Sequence, residues 1–145
     1  MIADYFAAEG PIVARLAAQV PGVAVLTSSD LAETEDAPPI TPAIRVLYGG
    51  DRLGSQAGRG AVQSVFQRWL AVLVVRDTRP GGVGGGRQGA GQLLLQALSA
   101  LSGWEPGPGF GPLKRVEAPA PHYGDGLAQF PLAFECQVIT VVSVP

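Results

Sequence analysis

The chain has 145 residues, 47% hydrophobic and only 15% charged, which is enough apolar material for one folded core and excludes a disordered chain. A formal net charge of −2 gives no general attraction to nucleic acid or anionic membranes, and no apolar run approaches the roughly 18 residues of a membrane span. Cys136 is the single cysteine, so no intrachain disulfide forms; residues 1–8 carry Asp4 and no basic n-region, which excludes a signal peptide and predicts a protein made and used in the cytoplasm.

The first predicted element is a helix. Ile12, Leu16 and Val20 recur at i, i+4 and i+8 with Val13 and Ala17 beside them, while Arg15, Ala18 and Gln19 face away. Pro11 fits a first helical turn, where its missing N–H costs no bond, and Pro21-Gly22 stops the helix. Tyr5 and Phe6 form a preceding turn or extend the helix through a kink at Pro11. Residues 23–27 make a short β-branched strand. Residues 28–37 are acidic through Asp30, Glu33, Glu35 and Asp36, with Ser29 or Asp30 placed to cap a single helical turn; Pro38-Pro39 keeps the chain extended afterwards. A second strand covers 43–48, and Gly49-Gly50-Asp51 begins a turn.

Residues 62–77 form the longest strand. Its first half mixes polar and apolar positions and 70–75 is wholly apolar, which predicts one end covered on both faces and the other partly open to solvent or a partner. Residues 78–89, TRPGGVGGGRQG, read as a flexible glycine-rich loop. Residues 90–102 give the clearest helix, with Leu94, Leu98 and Leu101 as its stripe, Ala97 in support, Gln92, Gln96 and Ser99 opposite, and Gly103 as terminator. Residues 104–112 hold no regular element; 113–118 form a short strand before a proline turn at 119–121. In the last strand Phe130, Leu132, Phe134, Cys136 and Val138 alternate with Gln129, Pro131, Ala133, Glu135 and Gln137. Pro131 donates to no ladder, which sets that end at an edge or outside the pairing. The sum is an α+β fold over a single domain, 1–145: a small, mostly antiparallel or mixed sheet of four to five strands with two main helices packed on one face.

No constellation for chemistry emerges, so neither a catalytic residue, a cofactor nor a metal site is expected. Gly84-Gly85-Gly86-Arg87-Gln88-Gly89 matches G-x-G-x-x-G literally, but a glycine-saturated loop meets that pattern by chance and no parallel strand–helix–strand partner follows. His122, the sole histidine, sits between Pro121 and Tyr123 in a predicted turn, and one His with one Cys makes no zinc site. Cys136 falls on the apolar face of the last strand, where a thiol is a small core group. Asp30, Glu33, Glu35 and Asp36 lack EF-hand spacing and read as a solvated acidic loop.

The surface points to assembly instead. Nine of the ten basic residues are Arg, which suits fixed bidentate contacts and equally reflects a G- and C-rich genome. Trp69 shares a strand face with Gln63 and Gln67 and reads either as core or as an interface anchor. Arg52, Arg59 and Arg68 gather around the same turn and strand, either as solvated charges or as contact residues.

In order, the segments PIVARLAAQVPGVAV, TPAIRVLYGGDRL, VFQRWLAVLVVRD, AGQLLLQALSALSGW and YGDGLAQFPLAFECQV resemble tail terminator proteins of long-tailed bacteriophages over nearly the whole chain. The resemblance implies a structural virion protein and no enzyme. Such proteins form a hexameric ring at the head-proximal end of the tail tube, stop its polymerisation and present a docking surface to the head–tail connector. The implied partners are further copies of the chain, the tail tube protein and the connector, with DNA only passing through the lumen and no membrane. The implied location is the neck end of the virion tail, after assembly in the host cytoplasm. The resemblance also gives the glycine-rich loop a use: about a dozen residues span on the order of 20 Å, which would bring Arg79 and Arg87 to the tube or to passing DNA. The rivals are another ring-forming connector or tube protein, or a small-molecule or nucleotide-binding module using that loop.

Overall fold

The structure is a computed structural model that describes residues 2–33, 40–77 and 89–142, the side chains of 31–33 excepted. Glu35, Asp36 and the glycine-rich stretch 78–88, with Arg79 and Arg87, lie outside the described residues.

The first helix, α1 (Glu9–Gln19), starts just ahead of Pro11, so the proline occupies its first turn; Ala8, Ile12, Leu16 and Val20 are all buried. Tyr5 and Phe6 lie in the preceding turn, where the Glu9 N–H donates to the Phe6 carbonyl at 3.1 Å. β1 (Ala24–Leu26) follows, then the short α2 (Ser28–Glu33). Its cap is Thr27, not Ser29 or Asp30. Thr27 Oγ1 accepts from the Asp30 N–H at 3.4 Å, and Asp30 Oδ2 accepts from the Thr27 N–H at 2.8 Å. This reciprocal pair is a capping box in which Asp replaces the usual Glu.

β2 (Ala43–Ala57) and β3 (Val62–Arg76) form a long antiparallel hairpin. The turn expected at Gly49-Gly50-Asp51 is instead a β-bulge: the register shifts between Tyr48 and Asp51, and Gly50, at φ +92°, takes up the irregularity while the strand continues. The reversal comes later, in a 3-10 turn over Gly58–Gly60 that holds Arg59 in the left-handed region at φ 60°. α3 (Ala90–Leu101) then leads, past Gly103 at φ +77°, into β4 (Lys114–Val116), β5 (His122–Gly124) and β6 (Leu127–Val141).

The sheet runs β1-β2-β3-β6-β4, with β5 also paired to β6. The β1–β2 pair is parallel and the others are antiparallel, so the sheet is mixed, and six strands exceed the four to five expected. The added strand is β5: His122 pairs with Gln129 instead of lying in a turn, and the chain reverses at Asp125 and Gly126, both at positive φ.

α1 and α3 pack on one face of this sheet, above Val65, Trp69, Ala71, Leu73 and Val75 of β3 and Phe130, Leu132, Phe134, Cys136 and Val138 of β6. Small residues Ala97 and Ala100 are buried on α3 beside Leu101, while Leu94 and Leu98 of the expected leucine stripe are half-buried. Residues 71–75 are buried at every position, on both faces, as their unbroken apolar run predicts. Pro131 is paired on one side only. It lies opposite Val72 of β3, and on the other flank it falls between the stretch held by β5 and the stretch held by β4, where no donor is required.

Candidate assembly surface

Two groups of side chains stand out on this scaffold, one on each face of the β2–β3 hairpin. On the helix side, Trp69 is 2% exposed and Gln67 is fully enclosed. The Trp69 Nε1–H donates to Gln67 Oε1 at 3.2 Å, and Gln67 Nε2 donates to the Tyr5 carbonyl at 2.6 Å. Both ends of the amide are thus matched, which is the condition for burying it. Gln67 therefore belongs to the core, where the sequence pattern places it on a half-open end. Trp69 is enclosed by its own chain, and of its two readings the geometry supports the core.

Above Trp69 stand Tyr48, at 5.3 Å between ring centroids, and Phe6, at 5.0 Å from Tyr48 and 51% exposed. The Tyr5 and Tyr48 hydroxyls both donate to Asp51 Oδ2. Partial burial pushes both phenols above their usual range, and the adjacent Asp51 carboxylate adds to the effect. The carboxylate sits here because the bulge after Tyr48 carries Asp51 opposite Gln67. Cys136, on the same core face, has its thiol pushed up to about 11 by burial, which leaves a poor nucleophile.

The opposite face carries the charges. Arg52 lies opposite Phe66, and its guanidinium stands 4.0 Å from that ring's centroid. Arg52 Nε also donates to Glu135 Oε1 and Oε2, at 3.1 and 3.3 Å, as a forked contact from β6. Arg68, next but one to Phe66, donates through Nη2 to the Glu117 carbonyl at 2.8 Å. Gly49 makes room for it, since a Cβ there would stand 3.2 Å from Arg68 Cγ. Lys114, paired opposite Glu135, falls on this face, and both Lys114 and its neighbour Arg115 border the groove beside it. A groove of about 330 Å³ runs between Arg52, Phe66, Lys114, Arg115 and Glu135, and a smaller one of about 180 Å³ continues it past Arg68.

Arg52 and Arg68 thus meet, as their spacing around one turn suggests. Arg59 sits apart from them, exposed at the hairpin tip. Lys114, Arg115, Phe66 and Glu135 join the patch without having been singled out in the sequence. The dibasic pair was legible there, but its convergence with Arg52 depends on the β2–β3–β6–β4 register, which local patterns do not carry. Among the described residues, no group of three or more His, Cys, Asp or Glu converges as a metal site, and no helix is long and apolar enough to cross a membrane.

No curated protein sequence matches the chain. A family model described as "Phage tail terminator protein" matches residues 1–142, essentially its whole length.

Proposed function

The chain belongs to the phage tail terminator family, whose members are structural components of the virion tail, and on that premise we propose that it closes into a ring of six copies on the head-proximal end of the tail tube. The ring ends tube polymerisation and gives the head–tail connector its docking surface. Its partners are other copies of the chain, the tube protein and the connector, with DNA passing through the lumen; assembly takes place in the host cytoplasm.

The observation that carries this reading is the end-to-end family match over residues 1–142. Symmetry supplies the mechanism. A head-to-tail contact between unlike surfaces closes into a finite ring when its rotation divides the circle, so a lateral interface limits its own growth. Axially, one ring face matches the last ring of the tube and the other lacks the surface that would recruit a further tube ring. Length control then needs no bond made or broken.

Particles assembled without this chain should have tails of irregular length that fail to join heads. Adding the purified protein during assembly should restore uniform, head-joined tails. Uniform tails in its absence would contradict the proposal.

A further inference from the structure

Toward the tip of the β2–β3 hairpin the sheet narrows to β2, β3 and β6, and both outer edges are open. β1 leaves β2 after Arg45, so from Val46 to Ala57 β2 pairs with β3 alone among the described residues. On the other side β4 covers β6 only over Ala133–Glu135, followed by a single bridge from Phe110 to Val138; Ile139–Val141 then pairs with β3 alone. The alternation of an antiparallel ladder fixes where the free groups point. The Val142 N–H donates inward to the Ala61 carbonyl at 2.9 Å, and the Gln137 carbonyl accepts outward from the Gly111 N–H at 2.8 Å. Ile139 and Val141 follow Gln137 at intervals of two, so their N–H and C=O groups face away from β3 and meet no partner among the described residues. Ile139, Val141 and Val142 are exposed as well, and a groove of about 460 Å³ runs beside them, walled by Gly109, Phe110 and Gly111.

Resting on the ring reading, we infer that this groove receives the open β2 edge of a second copy of the chain, so that the sheet continues from one subunit into the next. A strand edge with exposed apolar side chains and unmatched backbone groups is a template for a further strand. The occupant is β2 because it is the complementary edge: it lies on the opposite side of the same three strands, at the same end, and Asp51–Leu53 and Ser55–Ala57 are exposed. Two β6 edges, or two β2 edges, would pair about a twofold axis and stop at a dimer, whereas β6 on β2 runs head to tail and closes a circle with no edge left over. β2 and β6 are each antiparallel to β3 and so point the same way. Rotation about an axis along the strands keeps that direction, and the new pair is therefore parallel, as β1 and β2 already are.

The test is disulfide trapping of the assembled protein together with one backbone substitution. Ile139→Cys is combined in turn with Leu53→Cys, Ser55→Cys or Ala57→Cys, while the native Cys136 is buried out of reach. For one of these pairs mild oxidation should give a covalent ladder that runs up to the full ring, and each single substitution alone should give none. Val141→Pro removes an N–H that faces away from β3 and spares the bonds to β3. It should raise the concentration of half-assembly in sedimentation at least about tenfold, with Val141→Ala close to wild type. Thermal melting of each variant monomer checks the fold, and if Val141→Pro unfolds, the cysteine pairs decide alone. Rings that form with no cross-link and tolerate the proline would overturn the edge pairing and leave the ring reading in place. Covalent dimers from Ile139→Cys alone would overturn it as well, since β6 would then pair with β6. So would proline-variant rings of wild-type stability that no longer bind tube protein, which would assign the groove to the tube. A wild-type chain that never leaves the monomer would instead sink the ring reading itself.

Discussion

Trp69 is the largest of the fully buried side chains, and its indole is held from below by an amide and from above by a ring. Removing it leaves a cavity under Tyr48 and frees the Gln67 carbonyl oxygen from its donor. Trp69→Ala should therefore destabilise the monomer by about 3–5 kcal/mol, measured as a lowered urea midpoint under conditions where no ring forms. If the side chain were mainly an interface anchor, the monomer's midpoint would stay within about 0.5 kcal/mol of wild type and only assembly would suffer. The sequence leaves this residue ambiguous for a physical reason. A Gln two positions from a Trp on one strand face reads as partial exposure, because a buried amide is admissible only when both its ends find partners. One of those partners is the Tyr5 carbonyl, 62 positions away.

Elements were legible where their signal was local. The stripe Ile12, Leu16, Val20 and the alternation from Phe130 to Val138 gave α1 and β6, and the apolar run at 70–75 gave the part of β3 buried on both faces. Three features were not local. Gly50 looks like a turn but serves a bulge, His122 looks like a loop but pairs with Gln129, and the cap of α2 is two residues earlier than the first candidate. Each depends on which strand or helix lies alongside. Glycine roles separate in the same way. At Gly54 in β2 an added Cβ would stand 2.9 Å from Ser64 Oγ and 3.0 Å from the Phe66 ring, whereas at Gly91 in α3 it meets nothing within 4 Å. Gly54→Ala should cost about 1–3 kcal/mol through overpacking, and Gly91→Ala should stabilise by about 0.4–1 kcal/mol through the unfolded chain. Denaturant titration of both variants checks this, and equal effects would mean that the β2–β3 hairpin is looser than its register indicates.

For the whole molecule, the fold class was readable from the order of the segments, since that order fixes which apolar faces must meet, and the family from the resemblance of those segments to tail terminators. The assembly surface was only half readable. Arg52 and Arg68 are close in sequence, but Glu135 reaches them through the β3–β6 pairing and Lys114 and Arg115 only through the further β6–β4 pairing, with Arg52 and Glu135 83 positions apart. The resulting molecule has a helix-covered face and an arginine-lined face. On the ring reading, copies of this body neighbour one another around a circle without any reactive group. Electron microscopy of the purified protein over a range of concentrations tests this most directly. The account predicts closed rings of one size with six subunits and no growth beyond them. Open filaments, or monomers at every concentration tried, would contradict it.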